Sequence, residues 1–337
     1  MGAAVVLGSW AFLPRVAGGI GALGEPRPAP ASSWHLERIR APEAWTVTQG
    51  SPEIVVAVVD SGIDFSLPEL APTRWVNVRE VPGNGQDDDG NGYIDDVFGW
   101  DFRTAAPIPR TYGPELHWHG TFVAGILAAS GSSVLGVAPR IRIMDVRFLD
   151  AKGLFYTRDW DRLAAAVHYA VDNGARVINL SLYAKSRPPA VVEQALARAV
   201  ARGVVVVGIA GNDGGPEVSY PAKFPGVVAV GATDPDDRLA SFSNWGPEVE
   251  VAAPGSWVTS LLPGGRTAVQ GGTSFAAPQV AGTLALVLSA YPHLSSSQAL
   301  QVLKGTCRDL GPGGLDESFG AGLVQAGAAV RSPIPPR

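Results

Sequence analysis

The chain has 337 residues, 46% of them hydrophobic and 17% charged, enough to bury one large core or two smaller ones. A net charge of −5 without any basic run excludes a nucleic-acid surface of the usual electrostatic kind. The single cysteine, Cys307, excludes an internal disulfide, and its apolar surroundings read as those of a small buried hydrophobe.

Residues 1–33 read as a piece apart. Ala3 to Val16 is apolar but carries Pro14 and Arg15, so the uninterrupted run of about 20 residues that a membrane span needs is absent. Ala22 to Gly24 offers small residues for cleavage of a degenerate secretory signal; the plainer reading is a disordered N-terminus. The first places the protein outside the cell and the second leaves it in the cytoplasm. Pro26 to Ser33 is a solvated linker. Residues 34–330 then form one folded unit, followed by a disordered tail over 331–337.

Ile54 to Asp60 is a near-continuous β-branched run, as a strand buried on both faces requires. It ends in DSGID, Asp60 to Asp64, and a carboxylate there faces the crevice where open α/β sheets bind ligands. Between Asn77 and Phe102 the chain turns acidic and glycine-rich. Asp87, Asp89 and Asn91 alternate, Gly92 permits a sharp turn, Tyr93 offers its carbonyl, and Asp95 and Asp96 follow. Hard cations take several oxygen ligands, and this is the rhythm of an EF-hand loop, although Phe98 stands where the bidentate Glu belongs. An acidic surface loop is the simpler reading. Like charges in so compact a turn repel, however, so Ca2+ is the expected structural cofactor.

HGTFVAGILAA, His119 to Ala129, begins a small, apolar helix. Beyond it the elements alternate. Strands are predicted over 141–148, 177–182, 204–212, 227–233 and 249–255, and helices over 159–175, 188–202 and 295–307. Strands separated by single helices imply right-handed crossovers and an α/β fold of three layers, a mostly parallel central sheet with helices on both faces. Asn212 follows a glycine at the end of a strand, where asparagine is usually a turn former.

Gly271 to Tyr291, GGTSFAAPQVAGTLALVLSAY, is apolar on most faces and reads as a buried helix beginning close to Ser274, with Pro278 near its start. Ser274 is then either an N-cap or a nucleophile whose neighbouring amides receive a developing oxyanion. A serine hydroxyl is a weak nucleophile and needs a base and an orienter. His119 and Asp60 are candidates for both.

DSGID, HGTFVAG and GTSFAAP resemble the three signature blocks of the subtilisin-like serine proteases, the subtilases (peptidase family S8). They stand in the order Asp, His, Ser, 59 and then 155 residues apart. The resemblance runs from about Trp34 to Val330. It implies the subtilisin-like three-layer fold and a serine endopeptidase, expected as a monomer, that cleaves polypeptides bound in extended conformation. On this reading Asp60 orients His119, His119 is the base, Ser274 the nucleophile, and Asn212 with the Ser274 amide receives the oxyanion. The backbone after Leu180 is expected to pair with substrate by strand addition. Related calcium loops lie between the Asp and His blocks in subtilases.

Some positions depart from the family pattern. Phe122 stands where a second histidine is usual. Tyr183 and Ala184 replace glycines beside the specificity pocket, so cleavage preference does not transfer. The Ala129–Leu135 segment is short for the strong calcium loop of many relatives, so no ion is expected at Glu69. Subtilases commonly carry a folded inhibitory propeptide, for which residues 1–33 are too few. His117 is expected at the surface rather than on zinc, and His35, His168 and His293 in structural roles. Two other classes are weighed: an inactive relative kept as a calcium-dependent binding module, and a dinucleotide-binding enzyme, which lacks the required GxGxxG after its first strand.

Overall fold

Runs of valine and isoleucine too apolar for either face to meet water become the inner strands of one sheet. The computed structural model describes residues 33–332 and the two-residue strand Ala4–Val5. The leader, linker and tail expected at the ends otherwise lie outside the described residues. Eight strands make the main sheet: β1 (Val55–Asp60), β2 (Gly99–Asp101), β3 (Ala106–Pro107), β4 (Arg142–Arg147), β5 (Val177–Leu180), β6 (Val205–Ile209), β7 (Val227–Thr233) and β8 (Val249–Pro254). Their spatial order is β8-β7-β6-β5-β1-β4-β2-β3. All neighbours run parallel except the short β2–β3 pair. That pair extends the sheet beyond the predicted strands; each of its members is too short to show a period.

Alternate residues of β1 serve opposite layers. Val56 and Val58 join a core under α1 (Trp118–Ala128), α4 (Thr273–Ala290) and α5 (Ser296–Gly305). Ala57 and Val59 join the core under α2 (Trp160–Asp172) and α3 (Ala190–Ala201). The three-layer α/β fold expected from the alternation is therefore present. Strand order reverses at β1, with β4 on one side and β5 on the other, which opens a crevice at the carboxyl ends of these strands.

The helix α4 is long and apolar enough to cross a membrane, yet it is buried within the protein. Pro278 lies inside it rather than at its start. Proline has no N–H to give the carbonyl four residues back, so the helix leaves the Ser274 carbonyl without its usual donor. The Ser181 hydroxyl, just past β5, donates to that carbonyl at 2.9 Å. A helical defect is thus mended from the sheet.

Further along α4, Gly282 lets the helix lie directly on Val137, whose Cβ would be 2.7 Å from an added methyl group. Gly282→Ala would gain helix propensity of up to about 1 kcal/mol. The clash forces the packed layers apart, at a typical cost of about 1–3 kcal/mol. A lower Tm is expected by calorimetry; a raised Tm would show that the layers yield freely.

Candidate active site

β1 delivers Asp60 to the crevice, and the turn after it seats the helix that carries the histidine. The Ser61 amide donates to Asp60 Oδ1 at 2.7 Å. The Ser61 hydroxyl donates to the His117 carbonyl and accepts from the Gly120 amide, each at 3.0 Å. A Cβ at Gly120 would lie 2.4 Å from the Gly62 carbonyl oxygen, so only glycine lets helix and turn meet this closely. His117 caps α1, its Nδ1 accepting from the His119 amide at 3.4 Å. It is half-buried rather than exposed as expected, and burial lowers its pKa to about 4.

These contacts bring His119 Nδ1 to 2.8 and 2.9 Å from the two oxygens of Asp60. Both side chains are buried. Nδ1 facing the carboxylate fixes the neutral tautomer with its proton there, leaving Nε2 as the basic nitrogen. On the other side of the crevice Ser274 is the second residue of α4, and its hydroxyl donates to the Ser181 carbonyl at 3.3 Å. Phe275, next in sequence, packs its ring 5.8 Å from the His119 ring and 4.7 Å from Phe122. Phe122, in place of a second histidine, is part of the apolar wedge that holds α1 against α4.

Asn212, just past β6, accepts on Oδ1 from both the amide and the hydroxyl of Thr273, each at 2.8 Å. That sets the amide's orientation and leaves Nδ2 as a donor that no described residue accepts. It stands beside the N-terminal amides of α4, whose dipole favours negative charge.

The acidic loop gathers a group that the sequence reading did not anticipate in full. Ligand oxygens of Glu80, Asp87 and Asp89 all lie within 4.8 Å of one another. Glu80 Oε1 accepts from the amides of Asp88 and Asp89, while its buried Oε2 has no hydrogen-bond partner among the described residues. An orphaned carboxylate oxygen among acids fits a hard cation. Asn91 joins the loop through its backbone, donating to Asp87 and Asp89, and its side-chain oxygen accepts from Tyr93. Asp95 gives its carboxylate to the amides of Gly83, Asn84 and Gly85. Asp96 is buried and bonded to Asn77, Asn91 and Tyr169. Neither Asp95 nor Asp96 belongs to the clustered trio. Glu80, seven residues ahead of the loop motif, gave no spacing signal.

A profile of the subtilase family matches residues 51–322. The chain belongs to the subtilase family. It is 38% identical over 304 residues to subtilisin Savinase of Lederbergia lenta, covering 88% of this chain and 98% of that one. A thermophilic serine proteinase of Bacillus sp. (strain AK1) is 41% identical over 250 residues, 73% of this chain and 55% of the relative. The crystal structure of a lanthipeptide protease superposes with a TM-score of 0.73 at 26% identity, over 89% of this chain and 94% of the other. This subtilase is therefore a subtilisin-like serine endopeptidase.

At the departures from the family pattern, the subtilase has closed its own gaps. Tyr183 is buried in the core, and Ala184 pairs by both backbone groups with Tyr220, at 2.7 and 2.9 Å. Glu69 accepts from the Ser133 hydroxyl at 3.1 Å, within the shortened loop. Cys307 is partly buried, its thiol pushed up to about 12 by burial.

One buried acid falls outside every motif. Asp145 sits in β4 opposite Val58 of β1, and burial raises its carboxyl to about 7. The unfolded carboxyl titrates near 3.9. From about pH 4 to about pH 7 the unfolded chain therefore loses this proton before the folded one, and stability falls as pH rises through that window. Asp145→Asn removes the loss. The variant's Tm relative to wild type should climb between pH 4 and 8; a constant difference would show that Asp145 ionises normally.

Proposed function

We propose that this subtilase cleaves extended polypeptides through Asp60, His119 and Ser274, by way of an acyl-enzyme. The observation that carries the reading is the buried Asp60–His119 contact, made at the crevice into which α4 delivers Ser274. His119 Nε2 takes the proton of the Ser274 hydroxyl as the oxygen attacks the scissile carbonyl carbon. Asp60 stabilises the imidazolium that forms. Asn212 Nδ2 and the Ser274 amide receive the oxyanion, in a setting where donors need no reorganisation. Collapse expels the amine, which leaves with the proton from His119, and an ester joins Ser274 to the acyl half. Water then repeats the sequence and frees the serine.

Extended substrate is read by strand addition at the segment after β5. Ala184 already pairs with Tyr220 by both backbone groups, so the pairing with substrate is assigned to the segment before it, between Leu180 and Ala184. The four side chains that the reaction needs are all present, which leaves nothing in favour of an inactive binding module.

Calcium is proposed as a structural ion held by Glu80, Asp87 and Asp89, with Asn91 and the Tyr93 carbonyl as further oxygens. Bound there, the ion neutralises mutually repelling carboxylates and ties the loop to the segment before it.

A fluorophosphonate should label Ser274 stoichiometrically, as read by mass spectrometry, and Ser274→Ala should fold yet lose both labelling and turnover. Labelling elsewhere would move the nucleophile. Asn212→Ala should lower kcat by about 10²–10³ with KM little changed, the known cost of removing this donor type in subtilisin itself. Calcium at about 100 times its Kd should stabilise the fold by about 2.7 kcal/mol by mass action. Accordingly EDTA should lower Tm, and Glu80→Gln should blunt the response. A melting curve indifferent to calcium and EDTA would remove the site.

A further inference from the structure

Asp145 is almost wholly buried, and no ion pair to it is present among the described residues. Its Oδ2 accepts from the Ile63 amide at 3.2 Å and from the Tyr112 hydroxyl at 3.1 Å, while its buried Oδ1 has no hydrogen bond among the described residues. A desolvated carboxyl so poorly compensated is a liability to the fold, and an apolar residue would serve a buried strand better. Its partners show what it does there. Ile63 is in the turn that leaves Asp60, and Tyr112 lies against that same turn. A Cβ on Gly62 would meet the Tyr112 ring and hydroxyl at 2.8 Å.

Tyr112 also lines a cavity at the start of α1, where His117 and Trp118 precede His119. This cavity, of about 840 Å³, is lined by Tyr112, Leu116, His117, Trp118, Leu262 and Gln270, among others. Arg74, stacked 3.7 Å over Phe98, holds the approach to this cavity by donating to the Pro109 and Arg110 carbonyls, each at 2.8 Å. Arg147 faces the Tyr112 ring at 5.5 Å and pairs with Asp101.

We infer that Asp145 is a positioning residue that, from behind the catalytic strand, fastens the Asp60 turn to the Tyr112 wall of the substrate cleft. Through the Ile63 amide it sets the turn on which Ser61 and Gly120 seat the His119 helix. Through the Tyr112 hydroxyl it sets the edge of the cleft against that turn. One carboxyl thereby keeps the base and the binding surface in register. The inference rests on the proposed roles of Asp60 and His119.

The test compares Asp145→Ala, Asp145→Asn and Tyr112→Phe in the full chain, by kcat and KM on a peptide ester, fluorophosphonate labelling rate at Ser274, and Tm. Displacing a reacting group by an ångström can cost 10²-fold, so Asp145→Ala should lower kcat and the labelling rate by about 10-fold or more. Asp145→Asn keeps an acceptor for both donors and should recover most of the loss. Tyr112→Phe should reproduce part of it, with KM rising more than kcat falls. In the Asp145→Ala/Tyr112→Phe double variant the losses should not add, because the two residues act as one contact. A folded Asp145→Ala with wild-type kcat overturns the inference, as do additive losses in the double variant. If Asp145→Ala does not fold, wild-type kinetics in Tyr112→Phe overturn it instead. Failure of the wild-type enzyme to label at Ser274 would defeat the underlying reading first, and this inference with it.

Discussion

The candidate site depends on a carboxylate and an imidazole meeting where water is excluded. Taking Asp60 out of solvent is costly unless donors replace the water it loses. The Ser61 amide supplies one and His119 Nδ1 the other. Neither donor is in place unless the turn after β1 touches the first residues of α1, and that touch is possible only because Gly120 presents no side chain to Gly62. The Ser61 hydroxyl completes the joint by bonding to both sides of the helix start. The electrostatics of the pair and the steric detail of one glycine are thus a single constraint.

Around this joint the parallel sheet does what its topology dictates. Strand order reverses at β1, so the carboxyl ends of β1, β5 and β6 open on one crevice and bring Asp60, Ser181 and Asn212 to it. The helices α1 and α4 pack on one layer and present His119 and Ser274 from their first turns. Sites far apart in sequence converge because the strands contribute them at their carboxyl ends and the helices at their amino ends.

Much of this was legible before any coordinates. The β-branched runs predicted the inner strands within a residue or three of their observed bounds, since burial on both faces leaves a composition that few other structures produce. The three signature blocks picked out Asp60, His119 and Ser274 as candidates, and the family pattern, rather than the turn after β6, picked out Asn212. The short β2–β3 extension and the hairpin Val258–Leu261 with Thr267–Gln270 were not legible, because pairing rather than pattern creates them. The grouping of Glu80 with Asp87 and Asp89 was not legible, because no periodicity ties Glu80 to the acidic loop; a fold back of the chain does. His117 looked solvent-exposed because a cap cannot be told from a free polar residue without the backbone it caps. Asp145 is the one acid in a strand that also carries Arg142 and Arg147, and its partners come from segments more than thirty residues away.

The proline inside α4 has a consequence for how the enzyme comes into being. The carbonyl of Ser274 lacks its helical donor and is satisfied by a hydroxyl 93 residues away. Asn212, accepting from the preceding residue, Thr273, from 61 positions upstream, caps the same turn. A partly folded chain with α4 formed but β5 and β6 undocked would carry the serine on a frayed, unsatisfied turn. The turn that carries Ser274 therefore has its full set of hydrogen bonds only once β5 and β6 are docked beside α4.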